Sequence, residues 1–317
     1  MILIDADRIR DLLSYRDCIA VMREAMAKLS AGETEQMLRN ILPLDQGRMF
    51  GVMAGTMGPG GAWGSKLVSV TPERSDPSIP SHQGVVILFD PETGAPACQA
   101  EAGAITEIRT ASASAMATDV LASPEASELA ILGTGGQAYH HALAMLEVRD
   151  IKALRIWGRT FEKTEWLTNR LVGETGMDVQ ACASVQEAAL GADIICTVTA
   201  AQEPILPAAC VKPGAHINLV GSSFDGPREV DDDLVAGSRF FADSRDSVLA
   251  QGAELRHAIK SGTVDERHLV GEIGDVLRGK VEGRTSADTV TIYNSLGHIV
   301  QDIAVAAFIF EKVRAGI

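Results

Sequence analysis

The sequence has few aromatic and few basic residues, and each shortage argues against a class of protein. Phe, Trp and Tyr make up 4% of the 317 residues, and 28 Lys and Arg stand against 42 Asp and Glu. The formal charge of −14 produces a field that repels nucleic acid and anionic lipid. We therefore expect neither nucleic acid nor a membrane as a partner.

Cysteine is also scarce, and long apolar runs are lacking. The five cysteines form no Cys-x-x-Cys pair and have no regular spacing, which argues against a zinc site and against a disulfide framework. No uncharged apolar run reaches membrane-spanning length, and the first residues lack the basic and apolar regions of a signal peptide. These features predict a cytoplasmic protein that holds no metal.

What is present is an α/β pattern of about two domain lengths. Short apolar runs broken by Gly and Pro predict a β-rich module with strands at Met37 to Leu44, Met49 to Ala54, Ala62 to Val70 and Gly84 to Phe89. The next segment, Ala104 to Leu121, is dense in small residues and lacks Gly and Pro, so it predicts a long, closely packed helix.

Beyond Pro124 a rhythm of strand, turn and helix predicts a doubly wound parallel sheet. Its expected strands are Leu129 to Leu132, Leu154 to Trp157, Val179 to Cys182, Ile194 to Val198, His216 to Val220, Phe240 to Ala242 and Thr289 to Tyr293. The apolar helix that follows, Ile299 to Phe310, is expected to return to the first module or to meet another subunit.

A glycine-rich turn lies between the first of these strands and the following helix. Gly133-x-Gly135-x-x-Ala138 comes directly after Leu129 to Leu132, with Gly136 and Gln137 inside the motif. Gly133 permits a tight turn, Gly135 lets the backbone approach a pyrophosphate, and the helix N-terminus favours an anion. The surrounding strand and helix pattern favours a dinucleotide site over a merely structural turn.

The end of the second strand indicates which dinucleotide is held. An NAD site usually places an acid there, but this sequence has Trp157-Gly158-Arg159-Thr160. Arg159 and Thr160 offer donors suited to a 2′-phosphate, so NADP(H) is preferred and NAD(H) remains possible. The alternative is that Arg159 is an exposed loop charge and that the choice of cofactor is loose.

With the motif placed, the chain resembles the ornithine cyclodeaminase and mu-crystallin family over nearly its full length, and the mu-crystallin-type ketimine reductases most closely. The segments that carry the resemblance are Gly64 to Val68, Pro80 to Gln83, Leu88 to Gly94, Ile105 to Ala111, Arg155 to Thr160 and Val211 to Gly221. The resemblance implies a Rossmann domain over 116–295 and a substrate-binding and dimerisation domain over 1–115 and 296–317. It also implies a homodimer that forms through the β-strands of the second of these domains.

The resemblance further implies roles for particular residues. Arg39, Lys66, Arg109 and Leu296 fall where the family holds its carboxylate substrate. The expected cofactor residues are Ser81, His82, Gln83, Arg109, Thr110, Gly133, Gly135, Gly136, Gln137, Arg159, Thr160, Thr199, Val220 and Ser295.

The chemistry of the side chains of Arg39, Lys66 and Arg109 also suits them to these roles. Arg39 and Arg109 each present a planar fork to a carboxylate. Lys66 lies amid the apolar run Ala62 to Val70, and we expect burial and the two neighbouring cations to lower its pKa, which suits it to donate a proton.

One departure concerns the acid with which cyclodeaminases act on the amino group of ornithine. Aligned without a gap, this chain has Ser223 at that position, as mu-crystallin-like members do, and its nearest acid is Asp225. Ser223 and Asp225 therefore join Lys66 as catalytic candidates, and cyclodeamination is in doubt.

The function predicted from these observations is NADP(H)-dependent reduction of the imine of a 2-oxo acid to an amino acid, or the reverse dehydrogenation. Pyrroline-2-carboxylate and piperideine-2-carboxylate are examples of such substrates. Two alternatives stay open: an ornithine or lysine cyclodeaminase with tightly bound NAD, and a non-enzymatic NADPH-dependent binding protein.

Overall fold

The computed structural model describes residues 1–71, 82–221 and 226–317, which form two compact units. Unit 1 comprises Met1–Arg109 and His298–Ile317, and unit 2 comprises Thr110–Gly297. The strands are β1 (Ile2–Ile4), β2 (Glu35–Gln36), β3 (Asn40–Pro43), β4 (Met49–Thr56), β5 (Trp63–Val70), β6 (His82–Phe89), β7 (Pro96–Glu101), β8 (Glu128–Leu132), β9 (Ala153–Trp157), β10 (Val179–Cys182), β11 (Ile194–Thr197), β12 (His216–Leu219), β13 (Arg239–Ala242), β14 (Leu269–Glu272) and β15 (Thr291–Asn294). The helices are α1 (Ala6–Leu12), α2 (Tyr15–Ser30), α3 (Ala102–Leu121), α4 (Gly136–Leu146), α5 (Phe161–Thr175), α6 (Val185–Ala189), α7 (Asp232–Ala236), α8 (Arg245–Gln251), α9 (Ala253–Lys260), α10 (Ile273–Leu277) and α11 (Ile299–Arg314).

Unit 1 is built on a mostly antiparallel sheet with helices packed against it. The strand order is β1-β7-β6-β5-β4-β2, β3 also pairs with β4, and β1 runs parallel to β7. Helix α11 packs on β4, β5 and β6 and against α2. Ile303 and Ile309 of α11 and Met22 and Met26 of α2 are fully buried, so the last helix of the chain returns to the N-terminal module.

The prediction of a single strand from Met37 to Leu44 is wrong. Gln36 pairs with Gly55 of β4, and Asn40 pairs with Val52 of the same strand. Residues 37–39 therefore stand opposite only residues 53–54, and the extra residue interrupts the ladder as a β-bulge. Because of this bulge, the chain forms two short strands where the sequence pattern predicted one.

Unit 2 contains a parallel sheet in the order β10-β9-β8-β11-β12-β15-β13-β14, with a helix in most of its connections. All described pairings in it are parallel. Leu129–Leu132 of β8 and all four residues of β11 are fully buried, as expected for strands that are covered on both faces. The predicted doubly wound α/β fold is confirmed.

Helix α3 contains one of the two points at which the units divide, between Arg109 and Thr110. Its residues are mostly small, and Ala111, Ala113 and Ala115 are fully buried, as the sequence predicted for a closely packed helix. Throughout residues 1–71, 82–221 and 226–317, no helix combines the length and the apolarity needed to cross a membrane.

Candidate active site

A tight glycine turn connects β8 to α4 in unit 2. Gly133 has a φ of +140°, and a Cβ on it would lie 2.8 Å from the carbonyl oxygen of Val198. Its N–H donates to the carbonyl oxygen of Trp157 at 2.8 Å, which ties the turn to the end of β9. Both the backbone conformation and the close contact with β11's extension therefore require glycine here.

Gly135 leaves open space at the start of α4. It is exposed, and a Cβ on it would meet no atom of the described structure within 4 Å. The first turn of a helix carries N–H groups without helical acceptors and the positive end of the helix dipole. A side chain at Gly135 would fill the space from which an anion reaches these donors, so the turn fits the pyrophosphate of a dinucleotide.

The end of β9 lies beside this turn and carries no acid. A Cβ on Gly158 would collide with the Thr134 side chain, so the two loops are in contact. Arg159 and Thr160, the next two residues, are both exposed. This is the strand end at which an NAD site presents its acid to the ribose, and here it presents a guanidinium and a hydroxyl.

Glu229, which the sequence analysis missed, connects the loops that follow β11 and β12. Its Oε1 accepts from the N–H and the hydroxyl of Thr199 at 2.6 and 2.7 Å. Its Oε2 accepts from the N–H of Gly221 at 2.7 Å and from the hydroxyl of Thr197 at 2.8 Å. The carboxyl is fully buried, and burial raises its pKa while these four hydrogen bonds act to lower it.

Asp243, also missed, does the same for the loop after β15. Its Oδ2 accepts from the N–H groups of Leu296 and Gly297 at 2.8 and 2.7 Å. The N–H of Ser295 donates to the carbonyl oxygen of Leu219 at 2.9 Å, which joins this loop to the end of β12. The backbone around the predicted site residues Ser295 and Leu296 is therefore fixed by strand ends and by a buried carboxylate.

Unit 1 holds a buried cluster of charges centred on Asp302 of α11. The Nζ of Lys66, on β5, lies 2.9 Å from Oδ1 of Asp302 and 2.6 Å from the hydroxyl of Thr106. The Nε of Arg109, on α3, lies 3.2 Å from the same Oδ1, and its guanidinium also donates to Oε1 of Gln301 at 2.8 Å. Lys66 and Arg109 are each 5% exposed, and Asp302 is fully buried.

The position of Lys66 changes its acid–base behaviour. Burial lowers the pKa of Lys66 to about 8, the Asp302 charge opposes the change, and the charges of Arg109 and Arg39 add to it. Burial acts to raise the pKa of Asp302, but the charges of Lys66 and Arg109 and the hydrogen bonds from both together hold that pKa below its ordinary value. Lys66 is therefore largely protonated near neutral pH, and it releases its proton at slightly alkaline pH.

Arg39 is the third cation of this cluster and the end of the β-bulge. It is half-buried, and its charge acts on Lys66. With three cations and one carboxylate, the cluster keeps a formal charge of +2 while Lys66 is protonated, within a chain whose formal charge is −14. A bulge re-aims the side chains of the strand that contains it, and Arg39 is part of this bulge.

The remaining predicted residues fall into three groups. Thr110 is buried on α3, Val220 is half-buried after β12, Gln137 is half-buried in the first turn of α4, and Gln83 is exposed on β6. Of His82 only the backbone is described, as the first residue of β6. Ser81, Ser223 and Asp225 lie outside the described residues.

A signal in the sequence pointed to one of the missed groups. Gln301 and Asp302 are polar residues in the otherwise apolar stretch Ile299 to Phe310, and both are fully buried. Buried polar residues in an apolar helix need partners, which here are Arg109 and Lys66. No comparable signal marked Glu229 or Asp243, because both act by accepting backbone N–H groups, which leave no pattern in the sequence.

A glycine turn between the first strand of a doubly wound sheet and its helix defines a dinucleotide-binding α/β protein. Comparison with known proteins narrows this class. The chain belongs to the ornithine cyclodeaminase/mu-crystallin family, whose model matches residues 2–316.

Three relatives show how far the similarity extends. The ketimine reductase mu-crystallin of Mus musculus is 36% identical over 318 residues, covering 99% of this chain and 97% of the relative. The Δ1-pyrroline-2-carboxylate reductase of Bacillus cereus (strain ZK / E33L) is 32% identical over 314 residues, covering 98% and 96%. The structure of the Thermococcus litoralis Δ1-pyrroline-2-carboxylate reductase with NADH and L-proline has a TM-score of 0.96 and 28% identity, with coverage of 100% and 99%. The family prediction made from the sequence is confirmed.

Proposed function

We propose that this protein is a nicotinamide-dependent oxidoreductase that reduces the imine of a 2-oxo acid to an amino acid, or catalyses the reverse reaction. The observation that carries the proposal is the buried cluster of Lys66, Arg109 and Asp302 in a chain whose other unit has a dinucleotide fold. The relatives support the reaction, since they are named ketimine reductase and pyrroline-2-carboxylate reductase. Reduction of the C=N bond of pyrroline-2-carboxylate gives proline, and the Thermococcus litoralis structure is a complex with NADH and L-proline.

The cation cluster binds the carboxylate of the substrate. Arg109 and Arg39 present forked donors, and Lys66 adds a compact charge. Asp302 fixes Lys66 and Arg109 in place before substrate arrives, which reduces the ordering that binding requires. Leu296 is proposed to contact the apolar part of the substrate.

Lys66 also donates the proton that the substrate nitrogen takes up. A pKa of about 8 makes its ammonium a better acid than an ordinary lysine, yet keeps most of it protonated near neutral pH. The bound cofactor supplies the hydride to the imine carbon. Ser223 and Asp225 remain proposed participants in this proton transfer.

For the cofactor we propose a preference for NADP(H) over NAD(H). The support is Arg159, exposed at the end of β9 where an NAD site has its acid, with Thr160 beside it. The pyrophosphate is proposed to lie at Gly133, Gly135 and Gly136. The further proposed cofactor contacts are Ser81, His82, Gln83, Arg109, Thr110, Gln137, Thr199, Val220 and Ser295.

We further propose a homodimer formed through unit 1. Met37, Leu38 and Leu42, in and beside the β-bulge, are 64%, 52% and 58% exposed in the single chain. Ile41, Leu44 and Val52, nearby in β3, after it and in β4, are also 39%, 45% and 36% exposed. Apolar surface of this extent on neighbouring residues marks a protein interface more often than a free surface.

The deciding experiment follows NADPH and NADH oxidation with pyrroline-2-carboxylate, with piperideine-2-carboxylate, and with pyruvate plus ammonia, using wild type and Lys66→Ala. The proposal expects turnover by wild type and a loss of roughly 100-fold or more in the variant. Release of ammonia from ornithine or lysine without oxidation of added NADPH would instead identify a cyclodeaminase. Tight NADPH binding without turnover of any substrate would identify a binding protein.

A further inference from the structure

The order of strands in unit 2 divides the sheet into two halves. The chain runs outward through β8, β9 and β10, then returns to place β11 on the other side of β8 and continues through β12. Dinucleotides bind across the carboxyl ends of the strands at such a reversal, and the glycine turn after β8 marks the adenosine half. The nicotinamide half therefore belongs to the ends of β11 and β12.

Glu229 is the group that fixes these two strand ends. Thr199 is the second residue after β11 and Gly221 the second after β12, and their N–H groups donate to opposite oxygens of the one carboxylate. A Cβ on Gly221 would collide with Cδ of Glu229 and with the carbonyl oxygen of Thr199, so the three groups are packed as closely as a glycine permits. A single side chain thus holds both loops together.

The chemistry of the contact requires a carboxylate. A backbone N–H can only donate, and Glu229 receives one at each oxygen, so both oxygens must accept. Glutamine has nearly the same shape but carries an NH2 in place of one oxygen. Whichever way its amide turns, the N–H of either Thr199 or Gly221 faces a donor instead of an acceptor.

We propose that Glu229 is a positioning residue for the nicotinamide half of the cofactor, acting through the backbone of Thr199 and Gly221. The proposal rests on the proposed function, since it presumes that a dinucleotide binds unit 2. It predicts that Glu229→Gln weakens the binding of a whole dinucleotide and spares the binding of its adenosine part.

The chain offers a control in the same sheet, at the amino ends of its strands, which lie opposite the carboxyl ends that Glu229 joins. Asp193 directly precedes β11, and its Oδ2 accepts from the N–H groups of Ser127 and Glu128 at 2.8 and 2.9 Å, next to the start of β8. Asp193→Asn leaves an amide oxygen for these two N–H groups but places an NH2 opposite the ammonium of Lys212, with which Oδ1 of Asp193 is paired, so it loosens the same sheet at the amino ends of the strands. It therefore reports the effect of a weakened sheet on a site at the carboxyl ends.

The experiment measures dissociation constants of NADPH, NADH and ADP for wild type, Glu229→Gln and Asp193→Asn by calorimetry, with thermal unfolding of each protein as a check on folding. We expect Glu229→Gln to weaken NADPH and NADH by roughly 10- to 100-fold and to leave ADP within about twofold. We expect Asp193→Asn to leave all three constants within about twofold. Unchanged NADPH binding by Glu229→Gln, or equal losses for NADPH and ADP, would overturn the inference.

Two further readouts keep the result decisive. If Glu229→Gln does not fold, Thr197→Val removes one hydroxyl donor to Oε2 while it keeps the carboxylate, and a loss of roughly threefold or more in NADPH affinity with ADP unchanged is expected. Unaltered NADPH affinity in that variant would overturn the inference. Wild type that binds neither NADPH nor NADH would refute the proposed function itself, a result distinct from either of these.

Discussion

Lys66 and Asp302 are 236 residues apart in the chain, yet their side chains form a buried ion pair with 2.9 Å between Nζ and Oδ1. The carboxylate opposes the effect of burial and of two guanidinium groups on the Lys66 pKa. It also gives both Lys66 and Arg109 a fixed partner. The behaviour of the proposed active site therefore depends on a residue that need not touch the substrate.

Asp302→Asn is expected to shift the pH dependence of the reaction. Without the Asp302 charge the pKa of Lys66 falls below about 8, so the decline of kcat/KM at high pH should begin at lower pH than in wild type. Loss of one partner from a buried ion pair should also lower the free energy of unfolding by about 3 kcal/mol. Kinetics across a pH series and chemical denaturation measure the two effects.

Asp17→Asn is the control for this variant, because it removes an ion pair of unit 1 that is partly exposed. Asp17 pairs with Lys312 at 3.0 Å. The change should cost at most about 1 kcal/mol and leave the pH profile unaltered. A profile for Asp302→Asn that coincides with that of wild type would refute the role assigned to Asp302.

Lys66→Arg is expected to remove the pH dependence of substrate binding that Lys66 causes. As pH rises through about 8, wild-type Lys66 loses its proton and the cluster loses one positive charge, so KM for the imino acid should rise. Arginine stays charged throughout this range. KM of the variant should therefore stay constant, while kcat falls by roughly 100-fold because the proton donor is gone.

The two glycines of the turn after β8 should respond differently to alanine. Gly135→Ala introduces a Cβ into open space at an ordinary φ of −88°, so stability should change by no more than about 0.5 kcal/mol while NADPH affinity falls roughly tenfold or more. Gly133→Ala imposes a φ of +140° on alanine and should cost about 1–3 kcal/mol or more. Thermal unfolding and NADPH titration of both variants test this. Equal effects on stability would contradict the assignment.

Arg159→Ala should reduce the preference for NADPH over NADH. Loss of a charge-assisted contact to the 2′-phosphate is expected to cost roughly 10- to 100-fold in kcat/KM for NADPH and little for NADH. Arg170→Ala is the control. Arg170 lies on α5, the helix that follows Arg159, and it is exposed and paired with Glu174 at 2.8 Å. An unchanged ratio in Arg159→Ala would exclude NADP(H) selection by this residue.

Leu42→Glu should convert the proposed dimer to monomers. The substitution places a charge in the apolar surface of Met37, Leu38 and Leu42, where burial against a second chain would leave it without a partner. Leu190→Glu provides the control, because Leu190 is 62% exposed in unit 2. Sedimentation equilibrium measures the mass of each. Identical masses for the two variants would argue against an interface at this surface.

Local patterns were enough to predict much of the fold. The β8 strand, the glycine turn and α4 follow from an apolar run, a glycine motif and a helical pattern within a few residues of one another, and the structure has all three. Strands β1, β2, β7 and β14 were missed, because three of them have only two to four residues and β7 begins at a proline. The split of the expected strand at Met37 depends on pairing with β4, which a single segment does not encode.

The candidate site was predicted only where a residue was unusual in its own segment. Lys66 was singled out because it is a charge within an apolar strand. Its partner Asp302 lies in a helix whose apolar residues dominated the pattern, and the contact joins distant parts of the chain. Glu229 and Asp243 act by accepting backbone N–H groups, an interaction that leaves no pattern in the sequence.

Arg159 and Thr160 are exposed, and the Thr160 hydroxyl makes no capping hydrogen bond to α5 within the described residues. Substitutions at these two positions therefore cost the fold little. If they choose the cofactor, a lineage can exchange NADP(H) for NAD(H) by one or two mutations without first acquiring a stabilising change elsewhere. Glu229 is the opposite case, since a buried acceptor of four hydrogen bonds cannot vary without a compensating partner.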